Sequence, residues 1–196
     1  RYAVIDIGSN SVRLMLAEVQ ASEIIKVQKQ LSTTRLADGL AASGILSTAA
    51  MQRSAEAVAE YVERAYAWGA MPPVYCYATS AVREAANGGD FMRMLSAIDG
   101  LKAEMIDGRL EAECEYMGAS RGGLPVLDVV GASTELIHAI DGQTLSNSVH
   151  IGCVTMHDRF VNADPIGNDD KMQMERYCTD KVAQLLDGSG LAQGYT

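Results

Sequence analysis

One short pattern occurs twice in this 196-residue chain: an apolar run carries an aspartate at its end, turns through small residues and re-enters an apolar run. The first copy is Val4-Ile5-Asp6-Ile7-Gly8-Ser9-Asn10-Ser11, set between the runs Tyr2 to Ile7 and Val12 to Val19. The second is Asp128-Val129-Val130-Gly131-Ala132-Ser133-Thr134-Glu135-Leu136, set between Leu124 to Leu127 and Glu135 to Ile140. Laid over one another, Asp6 meets Asp128, Ser11 meets Ser133 and Leu14 meets Leu136. Tyr2 to Ile7 reads as a strand buried on both faces. Strand, tight turn, strand excludes a Walker-type loop, which runs from a strand into a helix and closes on Gly-Lys-Ser/Thr. The turn still suits an oxyanion. Gly8 at φ > 0 lets an anion approach backbone N–H groups, Ser9, Asn10 and Ser11 donate, and Asp6 can hold a metal ion. Taken alone, the first copy reads first as an ordinary hairpin, because Gly, Ser and Asn dominate turns. The second copy favours a duplicated architecture.

A duplication of this kind implies an α/β fold of the actin, sugar-kinase and chaperone type, with two ribonuclease-H-like halves. Each half is expected to offer one hairpin to the same phosphate from opposite sides of a cleft. Arg121-Gly122-Gly123 marks the expected junction, giving an N-terminal half at 1–121 and a second half at 122–196. The second half is expected to be truncated, since Leu191 to Thr196 falls where a further strand should run. A start at Arg1 without a methionine suggests that a few native residues precede it.

Composition narrows the function classes. Hydrophobic residues make up 48% and charged residues 21%, as in a soluble globular protein with a sizeable core. No apolar run approaches the ~18 residues of a membrane span, and no basic, apolar leader precedes the first strand. Cys76, Cys114, Cys153 and Cys178 are scattered without C-x-x-C pairing, which fits a reducing cytoplasm and argues against zinc or a disulfide framework. His138, His150 and His157 lack the spacing of a helical metal pair. A net charge of −9 argues against nucleic acid as a partner, though a polyanion remains compatible if arginines and a metal gather locally.

Between the two copies the spacing predicts a strand at Ile24 to Leu31, a polar loop to Leu40, and a helix from Ser47 to about Trp68. Ala55, Val58, Ala59, Val62 and Ala65 mark that helix's inner face. Val74 to Ala78 is a strand, and Thr79 or Ser80 caps the helix that follows it. Carboxyl ends of strands are where α/β proteins bind ligands, so Ser80 and Arg83 are candidates for the same anion; a capped surface helix explains them as well. A helix at Asp90 to Ile98 and a strand at Leu101 to Ile106 follow. Asp107 to Gly118 is a turn into a helix on which Leu110, Cys114 and Met117 share one face and Glu111 and Glu115 another. Strands at 124–130, 134–140 and 143–150 come next, then a helix entered at Ile151-Gly152-Cys153-Val154 and another at Asp169 to Leu186.

These strings resemble the exopolyphosphatase and guanosine-pentaphosphate phosphohydrolase (Ppx/GppA) family over nearly the whole chain. Asp6 to Ser11 looks like its first phosphate motif, and Thr34-Arg35-Leu36-Ala37-Asp38-Gly39-Leu40 like its Arg-Leu-Gly-x-Gly-Leu loop. Ala78-Thr79-Ser80-Ala81-Val82-Arg83-Glu84-Ala85 is nearly the family's own string. Gly108 to Ala112 is similar to Ser-Gly-x-Glu-Glu-Ala, and Asp128 to Glu135 to Asp-Ile-Gly-Gly-Gly-Ser-Thr-Glu. The resemblance implies a cytoplasmic hydrolase that removes terminal phosphate from polyphosphate or a guanosine polyphosphate. It implies Glu111 as the catalytic carboxylate, Mg²⁺ or Mn²⁺ on Asp6, Asp128 and Glu135, and phosphate on Gly8, Ser9, Asn10, Ser11, Arg35, Ser80, Arg83, Gly131, Ala132, Ser133 and Thr134. A homodimer that lengthens a polyphosphate channel is compatible with it. A kinase of the same superfamily and a phosphate binder without hydrolysis are the alternatives. The sequence departs from the family at Val130 and Ala132, where glycines are expected, at Arg109 and Leu110, and in lacking a later Gly-Gly-Thr segment. A β-branched Val130 is expected to resist φ > 0 and to crowd an approaching phosphate.

Overall fold

The computed structural model describes residues 1–120, 123–140 and 142–187. The chain divides into two compact units, Arg1–Gly108 and Arg109–Thr196. That division falls ahead of the 121/122 junction read from the sequence. The helix Gly108–Ala119 therefore counts with the second unit, and its C-terminal end is tied forward, Ser120 Oγ donating to Leu124 O at 3.0 Å.

In the first unit, β1 (Tyr2–Ile7), β2 (Ser11–Gln20), β3 (Glu23–Thr33), β4 (Val74–Ala78) and β5 (Leu101–Met105) form one sheet in the order β3-β2-β1-β4-β5. The hairpins are antiparallel, whereas β1, β4 and β5 run parallel. This is the order expected of a ribonuclease-H-like half. The β2–β3 turn places Ala21 (φ 50) and Ser22 (φ 68) in the left-handed region, the pair of positive φ values that a two-residue type I′ hairpin demands.

One face of this sheet is the core. Ala3, Ile5 and Ile7 register with Leu16, Leu14 and Val12, and Ile5 and Ile7 also with Cys76 and Ala78; all are buried. Each large aliphatic so buried contributes about 1.5–3 kcal/mol. The other face of β1 is only half covered, with Tyr2 exposed and Val4 and Asp6 intermediate, so the strand alternates and is not buried on both faces as its apolar run suggests. The helices of this unit are α1 (Leu40–Ser43), α2 (Thr48–Trp68), α3 (Ser80–Glu84) and α4 (Gly88–Ser96). Ser47 caps α2, its side chain accepting from Ala50 N at 3.2 Å. α2 packs Val58, Tyr61, Val62 and Ala65 against β1, β2 and α4. Tyr61 is wholly buried and satisfies its hydroxyl on Ser32 Oγ at 2.8 Å.

The second unit holds α5 (Gly108–Ala119, whose first residue belongs to the first unit), then β6 (Val126–Val129), β7 (Thr134–Ile140) and β8 (Gln143–Val149) in a sheet of order β6-β7-β8. α6 (Cys153–Phe160) and α7 (Asn168–Asp187) follow, α7 packing on β8 and α6. β6-β7-β8 repeats the internal pattern of β1-β2-β3: Asp128 registers with Glu135 as Asp6 does with Arg13. The second unit thus repeats the three antiparallel strands that open the first. Its expected continuation at Leu191 to Thr196, and the Arg121-Gly122 junction, lie outside the described residues. Among the described residues no helix is long and apolar enough to cross a membrane.

Candidate phosphate-binding turns

In the first unit, β1 delivers Asp6 and Ile7 to a turn that is closed by Gly8 N donating to Ser11 O at 3.0 Å. Its carbonyls are tied back. Asn10 O accepts from Thr34 N (3.1 Å) and Arg35 N (2.9 Å), and Ser9 O accepts from Ala37 N (2.9 Å). A turn that admits an anion must point its carbonyl oxygens elsewhere, and the 34–37 loop takes them. The loop is anchored by Leu36, wholly buried, and by Arg53 of α2, whose Nε donates to Thr34 O at 2.7 Å. Arg35 is exposed and sits at φ 49, a left-handed conformation that costs a non-glycine residue energy.

Gly8 is not among the positive-φ residues, which corrects the expectation that its glycine serves φ > 0. A Cβ built there would meet only Ser11 O, at 3.5 Å. Asp6 lies opposite Arg13, whose Nη1 is 3.7 Å from Oδ2 of Asp6, with both side chains about half exposed. Such a pair is weak, so the carboxylate can exchange this partner for a cation. Sequence reasoning missed Arg13.

At the end of the parallel strand β4, Thr79 does not cap α3 with its side chain; N and Oγ1 both donate to Ile7 O, each at 3.2 Å. This bond fixes the start of α3 to the end of β1. Ser80 is half-buried, and Arg83 lays Nη1 on Ile106 O at 2.8 Å, just past β5. Asp6, the first turn, the Arg35 loop, Ser80 and Arg83 therefore all follow or flank the carboxyl ends of β1, β4 and β5. That edge is where open parallel sheets bind ligands. Cys76 beneath it is no nucleophile: burial, helped by the negative charge of Asp6, pushes its thiol from 9.0 up to about 12.

The second turn is built alike. Val130 N donates to Ser133 O at 3.0 Å, the bond that Gly8 and Ser11 make. Here the carbonyls are held by the start of α6. Val130 O accepts from Cys153 N (3.1 Å), and Gly131 O from Val154 N (2.9 Å) and Thr155 N (3.2 Å). Neither Val130 nor Ala132 has positive φ, so the backbone strain expected of a β-branched residue at φ > 0 does not arise at Val130. Thr134 is 6% exposed and gives its hydroxyl hydrogen to Ile151 O at 2.6 Å, which makes it a strut beneath the turn. Gly131, Ala132 and Ser133 are half-buried. Gly152 abuts the turn so closely that a Cβ there would stand 2.4 Å from Gly131 O. Gly152 and Thr155 were not singled out from sequence; the available signal was a glycine between a strand and a helix, three residues ahead of a threonine.

Glu111 lies half-buried in the first turn of α5, beside the wholly buried Ala112. The apolar stripe of this helix points outward, with Leu110 41% and Met117 75% exposed, while Glu111 and Glu115 take the less exposed side. Asp128 and Glu135 are register partners on one face of the second sheet. Among the described residues no group of three or more His, Cys, Asp or Glu assembles as a metal site. Mg²⁺ does not require one, since it takes one or two carboxylates and completes its shell with water and substrate oxygens. Asp6 in the first unit, and Asp128 with Glu135 in the second, each offer the hard carboxylate oxygens that suit such an ion.

The sequence profile of the Ppx/GppA phosphatase family matches residues 4–192. Among solved structures, an exopolyphosphatase-like protein is 28% identical with TM-score 0.81, over 95% of this chain and 61% of that one. The Aquifex aeolicus member of the Ppx/GppA family is 25% identical with TM-score 0.70, over 93% of this chain and 61% of its own. An exopolyphosphatase from Cytophaga hutchinsonii, 24% identical with TM-score 0.80 over 97% of this chain and 63% of its own, shares the fold. The chain spans about 61–63% of the length of these relatives.

Proposed function

The chain belongs to the Ppx/GppA phosphatase family, and from that premise we propose that it forms part of a phosphoanhydride hydrolase releasing terminal phosphate from inorganic polyphosphate or guanosine pentaphosphate. The observation that carries this reading is the pair of like turns. Each follows an aspartate, each is closed by the same backbone bond, and each has its carbonyls tied back by a following segment. In this reading Ser9 and Asn10 of one turn, and Gly131, Ala132 and Ser133 of the other, offer donors to phosphoryl oxygens, while Ser11 is buried as Thr134 is. Arg35 and Arg83 add positive charge. Asp6, Asp128 and Glu135 are the carboxylates that would hold Mg²⁺, which when bound neutralises charge on the phosphoryl oxygens.

Glu111 orients water and accepts its proton as the water oxygen attacks the terminal phosphorus. The anhydride P–O bond breaks, and orthophosphate leaves from a chain one phosphate shorter. Catalysis of this type rests on positioning and charge neutralisation. The test is phosphate release by the full-length protein from inorganic polyphosphate and from guanosine pentaphosphate, with and without Mg²⁺. Release that needs Mg²⁺ and no acceptor supports the reading. Tight calorimetric binding of either compound without release would replace it by a non-hydrolysing binder, the alternative raised by Val130 and Ala132 standing where the family has glycines.

A further inference from the structure

We propose that Thr155 is a positioning residue that sets the second turn for phosphate, an inference that rests on the hydrolase reading. The first three N–H groups of a helix have no acceptor within it. α6 gives all three to the turn: Cys153 N to Val130 O, Val154 N and Thr155 N to Gly131 O. The next carbonyl, Ala132 O, receives the Thr155 side chain instead, with Oγ1 at 3.0 Å. The same hydroxyl oxygen accepts from Gly152 N at 2.9 Å and lies 3.1 Å from Gly152 O. A threonine hydroxyl has one hydrogen and two lone pairs, so this one atom clamps the start of the helix to the far side of the turn.

The bond matters because Ala132 C=O and Ser133 N–H belong to one planar peptide unit. Holding the carbonyl against α6 directs the Ser133 N–H to the opposite side, where an anion needs a donor. Without the hydroxyl that peptide is free to rotate and present its oxygen to the phosphate, replacing attraction by repulsion. The close approach of Gly152, with room for no Cβ against Gly131 and Ala132, brings Oγ1 within reach. In the first turn the matching work is done by backbone amides of the 34–37 loop, so the side-chain clamp is particular to the second.

The test is steady-state hydrolysis of inorganic tripolyphosphate by the full-length protein carrying Thr155→Val, Thr155→Ala or Thr155→Ser. Valine keeps the shape and removes the hydroxyl, alanine removes both, and serine keeps the hydroxyl. The expected result is a rise in KM of about 5- to 30-fold for valine and alanine with kcat changed by less than about twofold, and serine close to wild type. Wild-type KM in the valine and alanine proteins, or a serine protein as impaired as they are, would overturn the inference and leave the hydrolase reading standing. A wild-type protein that releases no phosphate from tripolyphosphate or guanosine pentaphosphate would overturn both.

Discussion

Replacing Gly152 by alanine drives a methyl group into the second turn. The added Cβ would stand 2.4 Å from Gly131 O, 2.5 Å from Gly131 C and 2.6 Å from Ala132 C. All three are backbone atoms, so no side chain can swing aside. Restoring a separation near ~3.5 Å requires the turn and the start of α6 to part by roughly 1 Å. That movement stretches the bonds from Val154 N and Cys153 N, now 2.9 and 3.1 Å. Overpacking of this kind costs about 1–3 kcal/mol, which lowers the melting temperature by roughly 2–12 °C. Gly118→Ala is the matched control. It lies in α5 with nothing within 4 Å of the built Cβ, and alanine there should stabilise by about 0.5–1 kcal/mol. Circular-dichroism melts of the two variants beside wild type decide the matter. A Gly152→Ala protein that melts with or above wild type would refute the close approach and the brace built on it.

Arg35→Gly should separate stability from binding. Relief of the left-handed strain is worth about 1 kcal/mol, so the variant should melt no lower than wild type, while loss of the guanidinium raises KM for tripolyphosphate by about tenfold or more; a lower melting temperature would contradict the strain. Cys76 makes stability fall with alkaline pH: between 9.0 and about 12 the unfolded thiol ionises while the native thiol stays protonated. Urea unfolding at pH 8 and pH 10 should show a loss of roughly 1 kcal/mol that Cys76→Ala lacks. Iodoacetamide at pH 8 should label the exposed Cys114 and Cys153 and spare Cys76 in the native protein, as mass spectrometry of the peptides would reveal.

The parts of the fold written in local chemistry were legible in the chain. Ser47 announces α2, alternation announces the hairpins, and the repeat of Asp6 to Leu14 in Asp128 to Leu136 announces a topology that recurs strand for strand. What escaped depends on residues distant in sequence. Thr79 looks like a cap, yet Ile7 O, supplied by another strand, claims its hydroxyl. Glycine at 8 and valine at 130 look like opposites for a phosphate turn, but both turns close without positive φ, so the difference has no backbone consequence. The α5 stripe shows how periodicity reports a face without its direction, since Leu110 and Met117 point outward. The braces of the turns were invisible for the same reason: Arg53 and Thr155 act through carbonyls, and a carbonyl leaves no mark in a sequence.

The proposed hydrolysis turns on one carboxylate taking a proton from water. Glu111→Gln keeps the size of that side chain and its place on α5 while removing its basicity. In single-turnover release of phosphate from polyphosphate at saturating protein, the rate should fall by about 10²–10⁴-fold, with tripolyphosphate still binding as tightly as to wild type. A variant that releases phosphate at the wild-type rate would contradict the assignment of Glu111 and the hydrolytic mechanism derived from it.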